Sequence, residues 1–139
     1  MILLDTSGLL AALDSKQRRH REAAASLAAA SPPLLLSPFV LAELAYLVSS
    51  RAGPAPRLSL LEEVERGAYL LAPFSNADVG HARAIVERYA DLAVSLADAS
   101  IAVLAARHRV RDVLTLDERH FRVLTTSDGE TFRLLPADV

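Results

Sequence analysis

A chain of 139 residues with no cysteine suits one compact domain and excludes a disulfide framework, a thiolate metal site and a cysteine nucleophile. A net charge of -2 with pI ≈ 6.1 excludes a general nucleic-acid coat, which binds through surplus cations, but not a nuclease with local arginine clusters. An apolar content of 52% and a mean hydropathy of +0.26 exceed the needs of a small monomer, leaving either a covered partner surface or an alanine-rich core. The start, Met1-Ile2-Leu3-Leu4-Asp5, has no basic leader, and no apolar run approaches a membrane span, so a cytoplasmic protein without membrane contact is expected.

Taken in chain order, Ile2–Leu4 reads as a short strand, with Asp5, Thr6 and Ser7 as possible caps for a helix over Gly8–Leu13. A polar helix follows over about Gln17–Ala30 and is closed by Pro32 and Pro33. Leu34–Leu36 is the second strand. Ser37 then caps a helix with Pro38 at its first position, running to about Ser50, where Gly53, Pro54 and Pro56 break it. Another amphipathic helix spans about Leu58–Arg66. Tyr69–Ala72 is the third strand, Asn76–Tyr89 an amphipathic helix and Leu96–His108 the most apolar helix. Val113–Leu116 makes the fourth strand, Asp117–Phe121 a helical turn and Phe132–Leu135 the fifth strand. Short apolar strands separated by helices predict an α/β fold with a parallel sheet covered on both faces.

In such sheets ligands bind beyond the carboxyl ends of the strands, where strand order reverses. Asp5 follows strand one and Asp117 follows strand four, and the two ends are neighbours if strand four is added beside strand one. Two further acids interrupt apolar helices: Glu43, the only charge between Pro38 and Ser50, and Asp98. Each has a plain structural alternative. Asp5 and Asp117 sit where residues cap helices, Asp98 stands at capping-box spacing from Ser95, and Glu43 on its apolar stretch would serve as half of a buried salt bridge. If the fold gathers all four, they line an oxygen-rich pocket for a hard divalent cation.

Four segments carry a family resemblance: Leu4-Asp5-Thr6-Ser7, Ser37-Pro38-Phe39-Val40-Leu41-Ala42-Glu43-Leu44, Leu96-Ala97-Asp98-Ala99-Ser100-Ile101 and Leu114-Thr115-Leu116-Asp117-Glu118-Arg119-His120-Phe121. In this order and spacing the chain resembles the PIN domains, and within them the VapC-type toxins of bacterial toxin-antitoxin pairs. The resemblance implies a single PIN domain over residues 1–139, a three-layer α/β/α fold with a five-stranded parallel sheet in the order 3-2-1-4-5. It implies that Asp5, Glu43, Asp98 and Asp117 are the catalytic acids and hold Mg²⁺ or Mn²⁺, with Thr6 or Ser7 as the supporting hydroxyl. It also implies an RNA substrate, either tRNA or the rRNA sarcin-ricin loop, a homodimer and a VapB-like antitoxin. Arg18, Arg19, Arg119 and His120 are the candidates for holding RNA, ordinary solvation being the alternative.

Two other functions compete. A phosphatase of the haloacid dehalogenase type also begins with a strand and an acid, but places a second Asp where this chain has Ser7. A non-catalytic binding module on the same fold would have no need of four acids. None of the four histidines stands at zinc-ligand spacing, and no nucleophile elbow is present.

Overall fold

The computed structural model describes residues Met1–Val139. Five strands, β1 (Ile2–Leu4), β2 (Leu34–Leu36), β3 (Leu70–Leu71), β4 (Asp112–Leu114) and β5 (Arg133–Leu135), form one sheet in the order β3-β2-β1-β4-β5. Every pairing is parallel, with Leu3 opposite Leu35 on one side and Val113 on the other. Consecutive residues of β1 are all buried, which requires cover on both faces, and this is why the strands read as unbroken Leu/Ile/Val runs.

That cover comes from seven helices: α1 (Thr6–Leu13), α2 (His20–Ala29), α3 (Pro38–Ala52), α4 (Pro54–Glu65), α5 (Asn76–Arg88), α6 (Leu96–His108) and α7 (Glu118–Phe121). The pattern places all of them, with shifted ends. Pro54 and Pro56 open α4 instead of breaking the chain, because first-turn N–H groups have no helical partner to lose; Gly53, with φ 89, makes the corner. Helix α2 starts at His20 because Arg19 adopts a left-handed conformation at φ 59. A 3₁₀ turn over Ala90–Leu92 went unforeseen. The fourth strand spans Asp112–Leu114, so Thr115 and Leu116 lie past its end, although the Thr115 N–H still donates to the Leu135 carbonyl of β5 at 2.9 Å.

Two contacts join α1 to the sheet. Gly8 lies so close to β4 that a Cβ there would stand 2.2 Å from the Leu114 carbonyl oxygen. The Asp5 N–H donates to that same oxygen at 3.0 Å, prolonging the β1–β4 pairing past the strand end. At the other edge, Phe121 of α7 meets Phe132 edge-on, ring centroids 5.5 Å apart, closing the core under β5.

The chain end is held by charge. Arg122 donates to both Asp138 oxygens (2.8 and 2.7 Å) and to Glu118, and Asp138 also accepts the Leu134 N–H at 2.7 Å. These bonds, led by that from Arg122, hold the Asp138 carboxyl down at about 2. Its folded value lies below its unfolded one, so the contribution is present above about pH 4 and is lost as pH falls through about 2. Arg122→Gln is therefore expected to melt below the wild type at pH 5, the gap closing toward pH 2; a gap independent of pH would assign the loss to packing of the Arg122 stem.

Candidate metal centre

Asp5 leaves β1 with extended backbone (φ -96, ψ 155) and stands at the N-cap of α1, but its side chain makes no cap. Instead Oδ2 accepts two hydroxyl bonds, from Ser7 at 2.8 Å and from Thr115 at 2.7 Å. The side chain is only 5% exposed. Burial pushes its carboxyl up to about 6 against the pull of the two hydroxyls, and neighbouring Asp98 adds to the rise. The capping alternative thus fails for Asp5: this carboxylate is buried, hydrogen-bonded and close to a second acid.

Asp98 and Asp117 both cap and both cluster. Asp98 closes a capping box at the start of α6, accepting the Ser95 N–H at 3.3 Å while its own N–H donates to Ser95 Oγ at 3.0 Å. Burial, followed by the nearby Asp117 charge, outweighs the Ser95 bonds and raises its carboxyl above the usual range. Asp117 caps α7 by accepting the His120 N–H on Oδ1 at 3.0 Å. Its other oxygen faces His120 Nδ1 at 2.6 Å, and His120 Nε2 faces the Leu92 carbonyl at 2.9 Å. Both ring nitrogens thus face acceptors, an arrangement that favours the protonated ring, and the Asp117 bond, above all, raises its pKa. Donor atoms of Asp98, Asp117 and His120 all lie within 4.8 Å of one another.

The remaining predicted residues fall outside that group. Glu43 is exposed on α3 and joins neither an ion pair nor a hydrogen bond, so it carries no burial cost and forms no buried salt bridge. The stretch looks uniformly apolar, but Val40 and Leu44 point into the core while Glu43 and Tyr46, the latter 71% exposed, face outward. Thr6 is buried with its Oγ1 unpartnered, whereas Ser7 serves Asp5. Arg119 and Arg18 are exposed without ion pairs, and Arg19 is engaged by Glu22 at 2.8 Å. A groove of about 570 Å³ between α1, α3 and α4 is lined by Leu10, Val48, Arg51 and Leu60 among others and by none of Asp5, Glu43, Asp98 and Asp117.

Residues 2–125 match the family model of the PIN domain. The chain belongs to the PIN-domain family. This PIN domain is 39% identical over 135 residues to ribonuclease VapC26 of Mycobacterium tuberculosis, covering 97% of this chain and 100% of that protein. Among solved structures it is similar to Mycobacterium tuberculosis VapC20, a sarcin-ricin loop cleaving toxin, with a TM-score of 0.74, 21% identity and coverage of 84% of this chain and 90% of the other. It is also similar to FitAcB of Neisseria gonorrhoeae, with a TM-score of 0.65, 25% identity and coverage of 96% and 97%. Sheet order and all-parallel pairing agree with the PIN fold expected from the sequence.

The donor set of this PIN domain fits a hard cation. Carboxylate oxygens of Asp98 and Asp117 converge, Asp5 is near enough to Asp98 for their charges to interact, and Thr6 adds a buried hydroxyl without a partner beside Asp5. The sequence pattern gives no role to Thr115 or Gly8 and offers His120 only as a candidate RNA contact, yet His120 lies in the acid group. The signals were present: a hydroxyl at the end of an apolar strand, a glycine inside a helix, and a histidine three residues after a capping Asp.

Proposed function

We propose that this PIN-domain protein is a metal-dependent endoribonuclease, the toxin of a toxin-antitoxin pair, hydrolysing RNA phosphodiester bonds in tRNA or the rRNA sarcin-ricin loop. The observation that carries the reading is the convergence of Asp98 and Asp117, with Asp5 near enough to Asp98 for their charges to interact; Asp5 and Asp117 follow β1 and β4, neighbours in a doubly covered parallel sheet that binds ligands beyond its carboxyl ends. Asp5, Asp98 and Asp117 are the residues we assign to hold Mg²⁺ or Mn²⁺. Glu43 completes the set as an exposed, unpaired carboxylate on α3, the helix tied to α6 by the buried Ser37–Ser100 hydroxyl bond of 2.7 Å.

When bound, the cation would supply Lewis-acid polarisation of the phosphoryl oxygen and a lowered water pKa. The protein's part is placement. Ser7 and Thr115 aim Asp5, the Ser95 cap aims Asp98, and His120 grips both oxygens of Asp117 while balancing local negative charge. Arg119, exposed and unpaired one residue before His120, is our first choice for an RNA phosphate contact, followed by Arg18 and Arg19.

For partners we propose a homodimer and a VapB-like antitoxin, supported by the VapC likeness and by the apolar surface left on α3 and α4, where Tyr46, Leu58 and Leu61 are exposed. No helix is long and apolar enough to cross a membrane. We place the protein in the cytoplasm, working as one domain over residues 1–139.

The test is cleavage of total bacterial RNA by purified protein with Mg²⁺ or Mn²⁺, and again with EDTA. Discrete fragments that need the cation, end-mapped to their source, are expected. No cleavage in either metal, from folded protein free of antitoxin, would instead support a binding module on the PIN fold.

A further inference from the structure

We propose that Thr115 is a positioning residue of the acid site, its hydroxyl tying the acid after β1 to the acid after β4; this rests on the reading of those acids as the metal centre. Thr115 Oγ1 donates to Asp5 Oδ2 at 2.7 Å and accepts the Asp117 N–H at 2.9 Å. One hydroxyl therefore sets the carboxylate of Asp5 and the backbone of Asp117 at a single spacing, across a sequence gap of more than a hundred residues.

Counting hydrogens makes the assignment specific. Ser7 Oγ runs a parallel path, donating to the same Asp5 oxygen at 2.8 Å and accepting the Leu116 N–H at 3.0 Å. Each hydroxyl has one hydrogen, and both are committed to Asp5, so the 3.2 Å approach of Ser7 to Thr115 carries no bond of its own. Both acceptor positions of Oδ2 are then filled, and no side-chain donor is spent on Oδ1. The convergence needs α1 pressed against the β4 end, which the missing side chain of Gly8 permits.

Thr115 is fully buried and lies outside the acid set, so a purely structural role would also explain its place. The two roles separate in metal binding. Thr115→Val keeps the shape and removes the hydroxyl; Thr115→Ser keeps the hydroxyl. On the full chain, calorimetric Mn²⁺ binding and RNA cleavage are measured beside thermal unfolding. Thr115→Val is expected to weaken Mn²⁺ binding and lower kcat by ~10- to 100-fold, with KM for RNA changed less than ~3-fold, and Thr115→Ser to recover most of both.

Wild-type Mn²⁺ affinity in Thr115→Val, or no recovery in Thr115→Ser, would overturn the assignment while leaving the ribonuclease reading intact. Failure of the wild type itself to bind Mn²⁺ or cut RNA would overturn both. If Thr115→Val does not fold, Thr115→Cys, which keeps a side chain of similar size but a weaker donor, is compared with Thr115→Ser: weakened Mn²⁺ binding in the cysteine variant alone is expected, and equal Mn²⁺ affinity of the two would sink the proposal.

Discussion

Asp5→Asn is expected to cut RNA at least ~10²-fold more slowly than the wild type and, without metal, to be the more stable protein at pH 8. The first effect follows from losing a carboxylate where the cation would neutralise developing charge, worth several kcal/mol at about 1.4 kcal/mol per tenfold in rate. The second follows from burial. Burial raises the Asp5 carboxyl from 3.8 to about 6, so the folded state prefers the protonated acid and loses stability as pH rises across that window. Above it the cost of an ionised Asp5 is complete, on the order of 1–3 kcal/mol. Asparagine still offers one oxygen to Ser7 and Thr115 but never ionises. The difference in stability, followed by urea unfolding in EDTA, should be smallest near pH 4 and largest above pH 6. Equal stability at every pH, together with undiminished cleavage, would remove Asp5 from the site.

Gly8→Ala should be the most damaging small substitution in the chain. The added Cβ would meet the Leu114 carbonyl oxygen at 2.2 Å, its carbon at 2.4 Å and the Thr115 nitrogen at 2.7 Å. All three are backbone atoms of the β4 end and cannot rotate away. Helix α1 would have to lift from the sheet, pulling Ser7 off Leu116 N–H and Asp5 off Thr115. Overpacking against backbone is expected to cost ~3 kcal/mol or more, a drop in Tm on the order of 10 °C, with metal binding lost in parallel. Gly80→Ala is the control. It lies exposed in α5 with nothing within 4 Å of the added Cβ, and alanine there should leave stability unchanged or raise it by ~0.5–1 kcal/mol. Equal Tm values for the two variants would mean that α1 and β4 are less closely packed than described.

How far the site was legible in the sequence depended on whether a residue's role was local. Asp98 and Asp117 could be foreseen both as caps and as clustered acids, and they are both at once, because capping uses local backbone and leaves the carboxylates near each other. The exposure of Glu43 was not foreseen because an apolar stretch was treated as an apolar face. At helical spacing Val40 and Leu44 turn inward, while Glu43 is carried to the solvent side. His120 was foreseen only as an RNA contact and not as the partner of Asp117, because its second acceptor, the Leu92 carbonyl, lies 28 residues earlier in a turn that no pattern announced.

Local pattern was enough for the alternation of apolar strands with capped helices, and with it the parallel sheet and the two acids at neighbouring strand ends, since burial pattern, proline and capping chemistry act within a few residues. The four acidic motifs carried the family resemblance as well. Which acids converge, which face solvent, and that Ser7 and Thr115, from opposite ends of the chain, share one oxygen of Asp5 emerge only in the folded chain. Those outcomes depend on how closely α1 approaches β4, a distance set by packing between segments more than a hundred residues apart and written in no local pattern.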